Sequence, residues 1–313
     1  MSQKRKPFLT VGMLTHQDFG GVWATTMNIV ANSPELLDDI HFTIVDNDPE
    51  SHSGGLVRKH AKDLGIADYH TISSEVTAST FKNCVFEFAR TEHILCVDGH
   101  VTLLPDALRK LIAFYRENPD FHDLIQGPLY NCQRRLMATE MLPGWRGRNF
   151  GTWHKRVDTK NFDPCGEAFE IPLHGMGLFA CTRHGWPRFT PGLRGFGGEE
   201  GVIHEAFRLT GRKAWNFPFL GWIHRFGRDI NPKYEITGKR KVSNNLAAFR
   251  NVHLPLDSID SYFRYKLGFK TKAEADAYMD GMLKWAKSLP ESPFKKPPAS
   301  YQPFLGEAIK LHD

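Results

Sequence analysis

The run Ile94-Leu95-Cys96-Val97 breaks abruptly into Asp98-Gly99-His100. An apolar run closed in this way reads as a buried strand whose carboxyl end delivers an oxygen and an imidazole to a cleft. In open α/β sheets that edge is where ligands sit. A carboxylate with imidazoles suits a divalent transition metal such as Mn²⁺ or Zn²⁺. A second aromatic stretch, Gly221-Trp222-Ile223-His224-Arg225-Phe226, makes His224 a natural third ligand beside Asp98 and His100.

The rest of the first half repeats the strand-and-helix theme. Residues 8–14 read as a first strand closed by Thr15 and His16, 23–30 as a helix, and 41–45 as a strand running into Asp46-Asn47-Asp48-Pro49. Residues 80–90 read as a helix, 94–97 as the next strand, and 105–116 as a helix with Pro105 in its first turn. Strand, helix, strand with short connectors implies a parallel sheet with right-handed crossovers. Residues 1–116 therefore read as a doubly wound, Rossmann-like nucleotide-binding half. Residues 126–170 are rich in Gly, Pro, Trp and Arg with little periodicity, and read as a long loop region. A strand is predicted over 178–181 and helices over 201–209, 258–267 and 272–288, with prolines imposing an extended end. The expected organisation is a domain over 1–250, its acceptor half being 117–250, and a small helical and Pro-rich C-terminal extension over 251–313.

The order of the motifs resembles that of the nucleotide-sugar glycosyltransferases of the GT-A fold, family 2 and its relatives. The chain is most similar in pattern to the polypeptide N-acetylgalactosaminyltransferases. Those enzymes carry Asp-x-His, then Gly-Gly-Leu-Phe-Ala, then Gly-Gly-Glu-Asn, then a Val-Gly-His-Val-Phe-Arg-like ending. The counterparts here are Asp98-Gly99-His100, Gly175-Met176-Gly177-Leu178-Phe179-Ala180, Gly197-Gly198-Glu199-Glu200 and Gly221-Trp222-Ile223-His224-Arg225-Phe226. Asp-x-His alone arises often by chance; four motifs in order are more specific, and they cover residues 8–228.

The resemblance implies an α/β fold of GT-A type and transfer of a sugar from a nucleotide diphosphate sugar, a UDP-sugar in first place, to an acceptor hydroxyl. It implies a metal, Mn²⁺ or Mg²⁺, on Asp98, His100 and His224, where a cation neutralises the departing diphosphate. Thr15, His16, Asp46, Asp48 and Asp98 are then the expected nucleotide-binding residues, although Asp46-Asn47-Asp48-Pro49 also suits an ordinary turn. Gly177, Gly198 and Glu199 are the expected donor-sugar residues, the Gly197-Gly198 pair suggesting close backbone approach to a ligand. Lys82 and Asn83 fall roughly where family 2 enzymes place a basic or amide residue. Glu200 departs from the Asn of the retaining enzymes and is similar to the final acid of Gly-Gly-Glu-Asp in inverting β-galactosyltransferases, where it is the catalytic base. Inversion with Glu200 as base is the resulting expectation. The acidic pair also suits the N-terminus of the helix that follows it.

Hydrophobic residues make up 41% and charged residues 24%, ordinary for a globular protein. The net charge of +5 and pI near 8.9 mildly favour an anionic partner, which a nucleotide sugar satisfies by itself. The acceptor is left open between a hydroxymethylated DNA base and a glycan or protein hydroxyl. Lys239-Arg240-Lys241 and Lys295-Lys296 read as solvated clusters. With no apolar run of membrane-spanning length and no apolar stretch at residues 1–6, the expected location is cytoplasmic, or the host cytoplasm for a viral protein. The five cysteines are odd in number; Cys84, Cys96 and Cys181 sit in apolar segments and read as core, with no disulfide framework. Two other functions remain compatible with the residues: a metal-dependent hydrolase using the Asp/His/His set, and a basic nucleic-acid-binding protein without catalysis.

Overall fold

The structure is a computed structural model and describes residues 6–72, 78–147, 149–156, 162–189, 193, 197–226, 237–298, 300–301 and 303. Gly195 and Phe196, Arg148 and residues 157–161 of the predicted loop region lie outside them.

Three parallel strands, β1 (Leu9–Thr15), β2 (Ile40–Asp46) and β3 (Ala67–Thr71), are joined by α1 (Phe19–Asn32) and α2 (His52–Leu64). After α3 (Ala78–Phe88), β4 (His93–Asp98) pairs in parallel with the other side of β1. Every residue of β1 but Leu14 is buried, as is all of β2, as expected for strands covered on both faces. The register matters more than the count. Leu14 pairs with Asp98 and Thr15 with Asp46, so the expected metal and nucleotide residues end their strands at one level of one sheet edge.

The chain continues through β5 (Val101–Leu103), α4 (Ala107–Glu117), β6 (Leu124–Gln126), β7 (Leu129–Tyr130), β8 (Leu136–Ala138), β9 (Glu140–Arg146) and β10 (Asn149–His154). It goes on through β11 (Phe169–Glu170), β12 (Leu178–Thr182), α5 (Val202–Leu209), β13 (Ala214–Asn216) and β14 (Trp222–His224). Among the described residues the main sheet has eight strands in the order β11-β13-β6-β12-β4-β1-β2-β3, with β12 antiparallel to β4. A second sheet, β5-β14-β7-β8, brings β14 back against the segment that follows β4, with His224 opposite Val101. That pairing joins two histidine-bearing segments that the sequence holds far apart.

Three expectations change. The span 126–170, read as loop, contains β7 to β10. Pro143 and Gly144 lie inside β9 and a register shift falls between Phe150 and Thr152, so the hairpin lacks the alternation by which strands are recognised. Trp145 in this hairpin packs edge-on to Phe150 and Phe263 at 5.0 Å and stacks on Tyr262 at 5.2 Å, against the core. The C-terminal region holds α6 (Gly238–Asn251), α7 (Asp257–Phe263) and α8 (Lys272–Ser288). Helix α6, not anticipated, buries Val242, Leu246 and Phe249 in one cluster with Phe150, Phe207, Phe263 and Met279. Lys241, read as part of a solvated cluster, is only 7% exposed. All five cysteines are free, and Cys96 and Cys181 are fully buried as expected. Among the described residues no helix is long and apolar enough to cross a membrane.

Candidate active site

Asp98 ends β4, His100 follows it by two residues, and His224 ends β14. One ligand atom from each of the three lies within 4.8 Å of the others. His100 Nε2 and His224 Nε2 face one another at 3.1 Å, and Asp98 Oδ2 is 3.5 Å from the second and 4.0 Å from the first. Two imidazole lone pairs at that separation repel. The arrangement is satisfied by a proton on one nitrogen or a cation between them, and the carboxylate-plus-imidazole donor set suits Mn²⁺ or a similar ion. On the far side of the His100 ring, Nδ1 meets Asp18 Oδ2 at 3.1 Å.

Gly177 belongs to this corner structurally. Its carbonyl accepts the Asp98 backbone N–H at 2.8 Å, and a Cβ there would lie 3.0 Å from the His224 ring and 3.0 Å from Trp222. Behind it, a buried polar chain ties the Gly175–Gly177 turn to α5. Gln126 donates to the Gly175 carbonyl at 2.9 Å and meets His204 Nε2 at 2.6 Å, while the His174 N–H reaches that nitrogen at 3.0 Å. Burial pulls the His174 imidazole down to about 4, so it sits neutral.

Lys82 on α3 brings a positive charge to the site. Its Nζ donates to Asp98 Oδ1 at 3.1 Å, with the lysine 7% exposed. Burial opposes both charges, but each favours the other: the lysine is held above its usual range, and the Asp98 carboxyl, beside Lys82 and the two histidines, well below its own. Lys82 also feels the negative charge of Glu199. It therefore stands electrostatically between the metal corner and the acidic pair.

Glu199 is 6% exposed, and its carbonyl accepts the Ile203 N–H at 3.2 Å as α5 begins. Burial, and after it repulsion from Glu199, push the Glu200 carboxyl up to about 8, with Lys82 and Lys241 pulling the other way. Gly197 and Gly198 have φ of +97° and +92°, a backbone that L side chains rarely adopt. Their close approach is to helix α6: a Cβ on Gly198 would lie 3.0 Å from Asn244 Cβ and 3.1 Å from its backbone, and Asn244 donates to the Gly197 carbonyl at 2.8 Å. Lys241 runs alongside and donates from Nζ to Asn149 of β10.

The expected nucleotide residues form a neighbouring group. His16 Nδ1 meets Asn47 Oδ1 at 2.8 Å, and Gln17, at φ +54°, donates to Asp48. Asp46 is 1% exposed; its oxygens accept from Tyr69 OH at 2.7 Å and the Asp48 N–H at 2.9 Å. Thr15 is 5% exposed. His16 and Asp48, both partly exposed, are the members of this group with surface to offer a ligand.

Sequence reasoning missed Asp18, Gln126, His204, Lys241 and Asn244, all of which act across tertiary contacts. For Asp18 a local signal existed: Asp followed by Phe19-Gly20-Gly21 is an N-cap pattern, and its Oδ1 does accept the Gly21 N–H at 3.0 Å.

Residues 13–171 match Glycosyl transferase family 2. No curated protein matches by sequence. Among solved structures, a crystal structure of GalNAc-T7 with UDP, GalNAc and Mn²⁺ superposes with a TM-score of 0.62 at 13% identity, over 89% of this chain and 56% of that one. S. aureus TarS 1-349 in complex with UDP-GlcNAc superposes with a TM-score of 0.54 at 12% identity, over 89% and 80% of the two chains. This chain thus spans little more than half of the GalNAc-T7 chain, and at these identities the likeness establishes the GT-A fold.

Proposed function

The chain belongs to glycosyl transferase family 2, and on that premise we propose that it moves a sugar from a UDP-sugar to an acceptor hydroxyl in a metal-dependent, inverting reaction. The observation that carries this reading is the convergence of Asp98, His100 and His224, with their ligand atoms within 4.8 Å of one another. UDP with GalNAc and Mn²⁺ in GalNAc-T7, and UDP-GlcNAc in TarS, support the donor class and the ion.

Mn²⁺ or Mg²⁺ held by these three residues would neutralise charge on the diphosphate leaving group. The remaining work falls to side chains of the chain itself. Lys82 adds a buried positive charge beside Asp98, where negative charge accumulates as the diphosphate leaves. His16 and Asp48 at the end of the first two strands contact the nucleoside, with Thr15 and the buried Asp46 shaping the loop beneath. Glu199 holds hydroxyls of the donor sugar. Glu200 takes the proton of the acceptor hydroxyl as that oxygen bonds to the anomeric carbon, and the bond to the diphosphate oxygen breaks on the opposite face with its electron pair. The raised position of Glu200 strengthens it as a base once ionised.

A thermal-shift panel of nucleotide sugars, with Mn²⁺ or with excess chelator, tests this, since ligands that bind the folded state raise its melting temperature by mass action. UDP-sugars should shift the protein only with metal present. Guanosine or cytidine sugars binding far better would overturn the donor, and a full shift in chelator would overturn the metal. Hydrolysis of simple esters would return the hydrolase reading. Transfer assays on a hydroxymethylated DNA duplex, a glycan and a protein then sort the acceptor.

A further inference from the structure

We propose that Asp18 is a positioning residue for the metal corner, holding the His100 ring so that Nε2, and not Nδ1, is presented to the ion. The inference rests on the metal reading above. Asp18 Oδ2 lies 3.1 Å from His100 Nδ1, and both residues are 8% exposed, so water competes little for the contact. An imidazole that donates from Nδ1 carries its lone pair on Nε2. Nε2 is the nitrogen that faces His224 at 3.1 Å. A carboxylate behind a ligating histidine fixes the tautomer, stops the ring from turning and makes the free nitrogen a better donor.

The same carboxylate has a second task. Oδ1 accepts the Gly21 N–H at 3.0 Å and so caps α1. Capping uses one oxygen only; the contact of the other oxygen with His100 is what a capping role leaves unexplained. Helix α1 also lies close against the segment that carries the ligand. A Cβ on Gly21 would fall 2.3 Å from the Gly99 carbonyl, Thr25 Oγ1 donates to the Val101 carbonyl at 2.8 Å, and Asn28 accepts the Leu103 N–H at 3.0 Å. Immediately before Asp18 come His16 and Gln17, bound to Asn47 and Asp48. One side chain thus links the loop expected to receive the nucleoside, the start of α1 and a metal ligand. Ordering any one of them favours the others.

The test measures Mn²⁺ binding without donor, by the electron paramagnetic resonance signal of the free ion, on the full chain. Asp18→Ala removes cap and orienting contact together and should weaken Mn²⁺ by on the order of 10- to 100-fold. Asp18→Asn keeps the cap, because Asn caps helices as well as Asp does. It should therefore retain the melting temperature of the unmutated protein and still bind Mn²⁺ about 10-fold more weakly, because with its oxygen on the Gly21 N–H the amide NH2 faces His100 Nδ1 and cannot accept its proton. The absorption bands of bound Co²⁺ should shift in Asp18→Asn, which a purely structural role would not cause. If Asp18→Ala does not fold, Asp18→Asn carries the test alone. Undiminished Mn²⁺ affinity in Asp18→Asn would overturn the inference while leaving the metal reading intact. Failure of the unmutated protein to bind Mn²⁺ would overturn both.

Discussion

Glu200→Gln separates catalysis from stability in opposite directions. The carboxyl of Glu200 is pushed from an ordinary 4.5 to about 8, first by burial and then by Glu199. Its folded pKa lies above its unfolded one, so its contribution to stability is fully present below pH 4.5 and is lost as pH rises towards 8. At roughly 1.4 kcal/mol per pKa unit, ionising it in place costs the fold at most about 5 kcal/mol. Gln has the same size and no charge to bury. Glu200→Gln should therefore match the unmutated protein at pH 4.5 in urea denaturation and exceed it by several kcal/mol at pH 9.

Turnover should move the other way. With a pKa near 8, roughly a tenth of the base is ionised at pH 7, so kcat/KM should climb about tenfold per pH unit up to pH 8 and then level. Glu200→Gln should lose on the order of 10²-fold or more and show no such limb. Glu199→Gln removes the like charge, and its rising limb should move to lower pH. A flat profile between pH 6 and 9, near-normal turnover in Glu200→Gln, or an α-linked product from an α-linked donor would each refute the assignment of the base.

Three further outcomes are expected. Asp98→Ala, His100→Ala and His224→Ala should fold but lose the Mn²⁺-dependent thermal shift, with Asp98→Ala the most impaired because it removes the one formal charge; a full shift in any of them would contradict the ligand set. Lys82→Met leaves the half-buried Asp98 without its cation and should cost stability in chelator, by less than the about 3–5 kcal/mol of a fully buried pair, part of it recovered on adding Mn²⁺; no loss in denaturant titration would contradict the pair. Gly197→Ala and Gly198→Ala share the penalty of positive φ, about 1–3 kcal/mol, but a Cβ at Gly197 meets only the Lys241 side chain at 3.6 Å whereas one at Gly198 meets the body of α6 at 3.0 Å. Gly198→Ala should be worse by about 1–3 kcal/mol of overpacking, and equal losses would show that α6 does not wedge this turn.

The parts of the fold that sequence alone could read were those in which one local signal fixes one local structure. The apolar runs of β1, β2 and β4 end in polar residues, and parallel pairing carries those ends to one edge, so Thr15, Asp46 and Asp98 were legible as a group. The β9–β10 hairpin was not, because Pro143, Gly144 and the shift near Gly151 erase period-two alternation. Helix α6 was hidden in another way: its first turn is Gly-Lys-Arg-Lys, and the burial of Lys241 comes from what it meets in space, Gly197 and Asn149, not from its neighbours in the chain.

The same distinction explains the site. The residues that would touch metal or sugar stand at strand ends and a helix start, where the chain presents side chains to a cleft, and motif order finds them. Of the residues that tune them, Lys82 for Asp98 is reached only through the family resemblance, while Asp18 at the cap of α1 for His100 and Lys241 of α6 for Glu200 act across sequence separations that no local pattern spans. Lys82 and Asp18 sit beside a partner of opposite charge or a ring nitrogen in surroundings where an uncompensated charge is expensive, and Lys241 acts on Glu200 through its field. That cost makes the pairs mutually dependent: changing Lys82 alters how tightly Asp98 must be balanced by a cation, and changing Glu199 alters when Glu200 can accept a proton. The paired variants Lys82→Met with Asp98→Asn should therefore recover stability that Lys82→Met alone loses, and a double-mutant cycle reading zero coupling between them would break this account at its centre.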